Sequence, residues 1–230
     1  MAISIIIPTL NEEKHIGKLI AYLLQHSGPA VSEIIVADGG SSDNTLAIAK
    51  STGVKVLEVP RPGRAIQMNF GTAVASGNIF YFIHADSIPP PSFAADIMQA
   101  VQTGYDFGRY TTRFQNTNWL LKINAFFTRF DWFICHGGDQ TLFITKELFA
   151  SLKGYDASLK IMEEYDLTMR AKQQGRYKIM PKACLVSTRK YRANSWWQVQ
   201  RANYTIVKMY RQGFPQEALV KRYSEMIRYR

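Results

Sequence analysis

Cysteine is scarce: Cys135 and Cys184 stand far apart with no Cys-x-x-Cys pair, which excludes a disulfide framework and a thiolate zinc site and suits a reducing cytoplasm. Long apolar runs are also missing. Lys122, Arg129 and Asp131 interrupt the greasiest stretch, residues 119–134, well short of the roughly eighteen apolar residues of a membrane span. The opening Ala2-Ile3-Ser4-Ile5-Ile6-Ile7 lacks the basic leader and the length of a signal-peptide core, so it reads as a strand. No Walker A loop and no G-x-G-x-x-G occurs, which sets aside P-loop ATPases and standard dinucleotide sites. Internal repeats, low-complexity segments and recognised nucleic-acid motifs are absent as well. Acids are thin at the end of the chain: from Arg189 onward ten Lys/Arg face only Glu217 and Glu225, so this tail carries eight of the ten surplus positive charges.

What is present points to one α/β domain followed by that tail, since 230 residues at 47% hydrophobic composition suffice for one sizeable core. Short β-rich runs at 3–7, 34–37, 54–59 and 79–83 alternate with helical patterns at 12–25, 43–51 and 64–76, the rhythm of βαβ units on a parallel sheet. Asn11 and Asp43 stand where N-caps are expected. A second half follows the prolines at 89–91: a helix over 92–103, a strand over 105–114, an aromatic helix from Asn118 and a glycine loop at Gly137-Gly138. Beyond it come a strand over 141–145, a helix from Lys146, a helix over 164–174, and separate strands over 177–180 and 183–187. The tail, 195–230, reads as two helices split near Gly213-Phe214-Pro215.

Three polar clusters fall where strands end, the edge at which open α/β sheets bind ligands, and a fourth opens a helix. Pro8-Thr9-Leu10-Asn11-Glu12-Glu13 offers hydroxyl, amide and carboxylate groups to a base or ribose, although Asn11 could equally be only a cap. Asp38-Gly39-Gly40-Ser41-Ser42-Asp43 lets backbone approach a ligand, with Asp38 as acceptor for a base N–H or ribose hydroxyl. His84-Ala85-Asp86 leaves an imidazole and a carboxylate that could hold Mg²⁺ or Mn²⁺ together with donor phosphates. Glu163-Glu164-Tyr165-Asp166 sets three carboxylates at a helix start. There the helix dipole alone would favour them, or one could serve as general base with its pKa raised by its neighbours.

Together these blocks, with Gly63-Arg64-Ala65-Ile66-Gln67-Met68-Asn69 and Gly138-Asp139-Gln140, resemble the inverting nucleotide-sugar glycosyltransferases of the GT-A fold, family 2, over residues 3–190. The resemblance implies a mostly parallel mixed sheet flanked by helices, with residues 1–90 as donor-nucleotide half, 91–190 as acceptor half and 191–230 as a basic, aromatic helical tail. It implies that Pro8, Thr9, Asn11, Glu12, Asp38, Gly39 and Ser41 hold the nucleoside of a UDP-sugar. Arg64, Asn69, His84 and Ala85 would line the donor phosphates, and Asp86, with His84, would bind Mn²⁺ or Mg²⁺. Glu164 matches the catalytic base, with Glu163 and Asp166 beside it. His84 replaces the first acid of the family's Asp-x-Asp signature, and Glu164 replaces an aspartate. A late Gln-x-x-Arg-Trp element has only a faint echo in Arg189-Lys190-Tyr191, so single transfers to an unidentified acceptor are expected rather than polymerisation.

The tail's Trp196, Trp197, Tyr204 and Tyr210 among Arg201, Lys208 and Arg211 suit peripheral contact with an anionic membrane from the cytoplasmic side. Packing of the same aromatics on the catalytic domain is the alternative. Two rival functions remain: a nucleotide-sugar binder without catalysis, and a basic nucleic-acid-binding protein, disfavoured because the basic excess is confined to the tail.

Overall fold

The computed structural model describes residues 1–115, 119–132 and 140–228. Its centre is a strand whose two faces are both covered. β1 (Ile3–Thr9) is buried along its whole length, with Ile3, Ile5 and Ile7 in one apolar cluster and Ile6 in the other. Alternation every second residue divides the strand between two layers, so a continuous apolar run is what the sequence needs here.

Among the described residues eight strands form one mixed sheet in the order β3-β2-β1-β4-β7-β6-β8-β5. Its first four are parallel: β3 (Lys55–Glu58), β2 (Val31–Asp38), β1 and β4 (Ile79–Phe82). β7 (Leu142–Thr145) runs antiparallel to both β4 and β6 (Phe107–Phe114); β6 pairs in parallel with β8 (Tyr177–Val186), and the two-residue β5 (Ser87–Ile88) closes that edge antiparallel to β8. Helices cover both faces. α1 (Ile16–His26) buries Ile16, Leu19, Ile20 and Leu23 at helical spacing in the first cluster, which also receives α4 (Phe93–Gln102). Each such side chain contributes roughly 1.5–3 kcal/mol in gross burial. α3 (Arg64–Ala73), α6 (Lys146–Ser151) and α7 (Glu163–Lys172) pack into the second. α3 lies so close to the sheet that a Cβ on Gly71 would stand 2.5 Å from Ile6 Cγ2, and this contact seats the helix whose first residue is Arg64.

Several sequence expectations shift. Helix 12–25 begins four residues later, and Asn11 does not cap it: Asn11 is left-handed (φ 55°) and its side chain accepts from Ser42 N instead. Asp43 precedes α2 (Thr45–Ser51), where Asn44 is the N-cap without a side-chain bond, although Asp43 Oδ1 accepts from Thr45 N. α3 stops at Ala73 rather than residue 76. The strands expected over 177–180 and 183–187 are one strand, β8, whose pairing with β6 shifts between Tyr110 and Thr111, opposite Pro181, which has no N–H to give the ladder. β5 was not anticipated. The aromatic helix is α5 (Trp119–Phe127), while Asn118, Cys135, Gly137, Gly138 and Asp139 lie outside the described residues.

In the tail, a short helix α8 (Arg189–Ala193) leads to α9 (Trp196–Arg211) and α10 (Gln216–Met226), broken at Gly213 as expected. Val199, Ala202 and Ile227 form a small core of their own. Gln216 Oε1 accepts from Lys160 N and Ile161 N, which ties the tail to the loop before α7.

Candidate active site

The β1 and β2 C-termini are bound into one ledge. Asp38 is fully buried; Oδ1 accepts from Gly40 N (2.9 Å) and Ser41 N (2.8 Å), while Oδ2 accepts from Ser41 Oγ (2.5 Å) and Thr9 Oγ1 (3.1 Å). Both oxygens are thus engaged inside the protein, and Asp38 shapes the loop expected to read the nucleoside. Gln67 on α3, buried and polar, donates to Thr9 O (2.7 Å) and Ala37 O (2.8 Å), holding the two strand ends at one height. The two loops are also bonded to each other: Ser41 Oγ accepts from Asn11 N, and Thr45 Oγ1 from Glu12 N, each at 2.8 Å. Pro8 is buried in β1, and Gly39 N donates to Thr9 O, where a Cβ would press on Gln67 at 3.0 Å.

From this ledge the acids reach across the cleft. Glu12 takes both Nη groups of Arg189 at 2.9 and 2.7 Å, and Arg189 Nε lies 3.1 Å from Asp86 Oδ2. One guanidinium, from the start of α8, spans the first loop and the loop after β4. Two residues before Asp86, with buried Ala85 between, His84 Nε2 meets Glu164 Oε1 at 2.9 Å. Beside them Arg64 Nη1 lies 3.2 Å from Glu163 Oε1, an acid that is almost wholly buried. Contacts therefore run from Asp38 through Ser41, Asn11 and Glu12 to Arg189 and Asp86, and two residues back along the chain His84 continues them to Glu164, so the distant blocks adjoin one another.

Electrostatics single out the His84–Glu164 pair. Burial raises the Glu164 pKa, an effect that the His84 charge and hydrogen bond and the Arg64 charge offset only in part. For His84, burial opposes the charge, but the Glu164 carboxylate outweighs it and lifts the imidazole above its ordinary value. Both shifts run in one sense, so the pair holds its shared proton to higher pH than either group would alone. Neighbouring carboxylates were expected to raise a base here; Glu163 does so only weakly, and burial is the main cause. Glu164 Oε2 is buried, and no donor among the described residues reaches it. The residue lines a cavity of about 20 Å³, room for one water, together with Arg109, Thr141 and Thr168.

Other expectations are relocated. Asn69 does not face the cleft: it donates to Tyr155 O and accepts from Tyr155 N, pinning the loop after α6. Asp166 is bound by Arg170 at 2.5 Å, one turn further along α7 and directed away from the His84 pair. His84 has its Nε2 on Glu164 rather than free for a metal, and no group of three or more His, Cys, Asp or Glu able to hold an ion occurs among the described residues. Asp86 could offer a divalent ion one carboxylate, a fit for Mg²⁺ or Mn²⁺ only where diphosphate oxygens and water would complete the shell. Sequence reasoning missed Gln67 and Arg189. A polar residue on the buried face of an amphipathic helix could have signalled Gln67, whereas Arg189 stood out only through the faint echo of a late family element, without a role.

The model of the family described as "Glycosyl transferase family 2" matches residues 4–149, well over half of the chain. The chain belongs to glycosyl transferase family 2. Among its relatives, a glucosyl-3-phosphoglycerate synthase from Mycolicibacterium smegmatis is 33% identical over 110 residues, 44% of this chain and 36% of that one. A 4,4'-diaponeurosporenoate glycosyltransferase from Staphylococcus aureus is 43% identical over 58 residues, 25% of this chain and 15% of that one. The aligned part thus spans about a third of the first relative's length. Among solved structures, S. aureus TarS 1–349 superposes with TM-score 0.69 at 18% identity, covering 98% of this family 2 chain and 70% of that one. Glucosyl-3-phosphoglycerate synthase from Mycobacterium tuberculosis, in complex with Mn²⁺, uridine diphosphate and glucosyl-3-phosphoglycerate, gives TM-score 0.63 at 21% identity, covering 93% and 81%. These likenesses place this family 2 chain in the GT-A fold, as its motifs implied.

Proposed function

We propose that this glycosyltransferase domain moves one sugar, with inversion, from a UDP-sugar to an acceptor hydroxyl, with Glu164 as general base and a divalent ion at Asp86. The observation that carries the proposal is the buried, unsatisfied Oε2 of Glu164, held in place through Oε1 by His84. A carboxylate so placed has an open acceptor site for a hydroxyl proton and a fixed orientation in which to use it. Glu163, neutralised by Arg64, is cast as the brace of the pair. Pro8, Thr9, Asn11, Glu12, Gly39 and Ser41 form the nucleoside ledge over Asp38, and Arg64 at the N-terminus of α3 faces the diphosphate. A bound Mn²⁺ or Mg²⁺ would neutralise the charge developing on the leaving diphosphate. Arg189 must then leave Asp86, exchanging one anion for another within the cleft. Residues 1–90 serve the donor and 91–190 the acceptor in this reading.

The tail fits the same proposal as a cytoplasmic, peripheral membrane surface. Trp197, Arg201, Tyr204, Lys208 and Arg211 are all exposed at spacings of three and four, hence on one stripe of α9, opposite the buried Val199, Ala202 and Ile206. No helix among the described residues is long and apolar enough to cross a membrane. The deciding experiment incubates the protein with UDP-glucose and UDP-N-acetylglucosamine, with and without Mn²⁺, and follows sugar transfer and UDP release. Release by the wild type and none by Glu164→Gln, with UDP still raising the melting temperature of both, supports the reading. Equal release by both would remove Glu164 from it.

A further inference from the structure

Exposed apolar side chains are not spread evenly. Of the thirteen large ones among the described residues, Trp119, Ile123, Phe126, Phe127 and Trp132 fall within fourteen consecutive positions, a concentration that marks a contact surface rather than chance exposure. Their rings also build one object. Phe130 stacks on Trp132 at 4.8 Å, Phe127 lies 6.0 Å from Trp132, and Phe126 meets Phe130 edge-on at 5.6 Å. This aromatic shelf stands beyond the end of α5.

The shelf is anchored to the surroundings of Glu164 at two points. Arg109, a guanidinium buried on β6, donates through Nη1 to Thr128 O (2.7 Å) and through Nη2 to Phe130 O (3.3 Å), and the same side chain lines the small cavity shared by Glu164 and Thr168. On the other flank, Lys172 of α7 pairs with Asp131. Glu164, Thr168 and Lys172 follow at intervals of four on α7, so they share one side of the helix. At 1.5 Å per residue the anchor at Lys172 lies about 12 Å along the axis from Glu164.

Resting on the assignment of Glu164 as base, we infer that the acceptor is a lipid: a hydroxyl-bearing head reaches Glu164 while its apolar body lies on the Phe126–Phe127–Phe130–Trp132 shelf. A purely polar acceptor would leave four rings in water at the rim of the site. Charge favours a lipid drawn from an anionic bilayer over a second copy of the chain. Lys122 and Arg129 are exposed around the shelf, the chain carries +10, and a self-association would bring like charges together.

Binding is measured for the wild type and for Phe127→Ser/Trp132→Ser, whose altered side chains are exposed and whose fold is checked by an unchanged UDP-induced rise in melting temperature. The probes are octyl and decyl glucoside below their micellar concentrations, and vesicles of phosphatidylcholine with and without phosphatidylglycerol. The wild type is expected to bind decyl glucoside roughly tenfold more tightly than octyl, the effect of two buried methylenes. It is also expected to sediment with the anionic vesicles only, through the α9 stripe that both proteins keep, and the double variant should lose the chain-length preference. Chain-length-independent binding by the wild type, or the same chain-length preference in both proteins, overturns the inference; so does a concentration-dependent dimer that the substitutions abolish. These readouts need no turnover. Failure of the shelf therefore leaves UDP release untouched, and failure of UDP release would instead strike the glycosyltransferase reading.

Discussion

The two sides of the cleft are built on opposite principles. On the side proposed for the donor the polar groups of the β1 and β2 loops are tied to one another: four bonds on Asp38, two on Gln67 and the cross-loop pairs of Asn11, Glu12 and Ser41. On the side proposed for the acceptor Glu164 keeps an oxygen without a donor among the described residues, and the neighbouring shelf keeps its aromatics in solvent. A rigid ledge suits a ligand whose shape does not vary, such as a nucleotide. Exposed apolar surface and an open lone pair suit a partner that completes the site on arrival.

The sharpest way to break the contrast is to remove the open group. Glu164→Gln keeps a hydrogen-bonding head near His84 but discards the base, so sugar transfer should fall by roughly 10²–10⁴-fold while UDP affinity, read by calorimetry, stays near wild type. Asp86→Ala acts on the cation instead. Mn²⁺ dependence of UDP binding should vanish and affinity drop on the order of tenfold or more, whereas an unchanged Mn²⁺ response would move the metal away from Asp86.

The donor side should respond in stability first. Gln67→Leu removes the side-chain donor from Thr9 O, which keeps Gly39 N, and from Ala37 O; losing the two buried bonds costs about 1–3 kcal/mol in urea unfolding and weakens UDP binding only indirectly. The smallest expected effect lies at Glu33. Burial would raise its pKa, but bonds from Ser76 N, the hydroxyls of Ser76 and Ser4, and Lys55 prevail and lower it to about 2. The folded value lies below the unfolded one, so this contribution is present above the unfolded carboxylate range and is lost as pH falls toward 2. Glu33→Gln should remove about 1 kcal/mol at pH 7 and flatten the pH dependence of stability between about pH 4.5 and 2, a difference that should disappear in more acidic buffer.

How much of this was readable beforehand differs along the chain. The parallel strands and the helices α1, α3 and α4 follow from apolar periodicity, because a doubly covered strand and an amphipathic helix each leave a local pattern. The identity of β8 as one strand did not, since Pro181 looks like a stop until the pairing with β6 carries the backbone past it. Asn11 looked like a cap because Asn before a helix usually is one; the cross-loop bond to Ser42 holds it in a left-handed turn instead.

By itself, then, the sequence determined the α/β domain, the chemical types gathered at strand ends and the basic, aromatic tail, all consequences of short-range pattern and composition. Only the tertiary structure decided that His84 Nε2 meets Glu164, that Asn69 binds Tyr155 and Asp166 binds Arg170, and that Arg189 bridges Glu12 and Asp86. Apart from the i,i+4 pair of Asp166 with Arg170, those assignments depend on which residues, dozens to more than a hundred positions apart, come within about 3 Å of one another. Hydrogen bonds and burial act over that distance in space and leave no periodic trace in the chain.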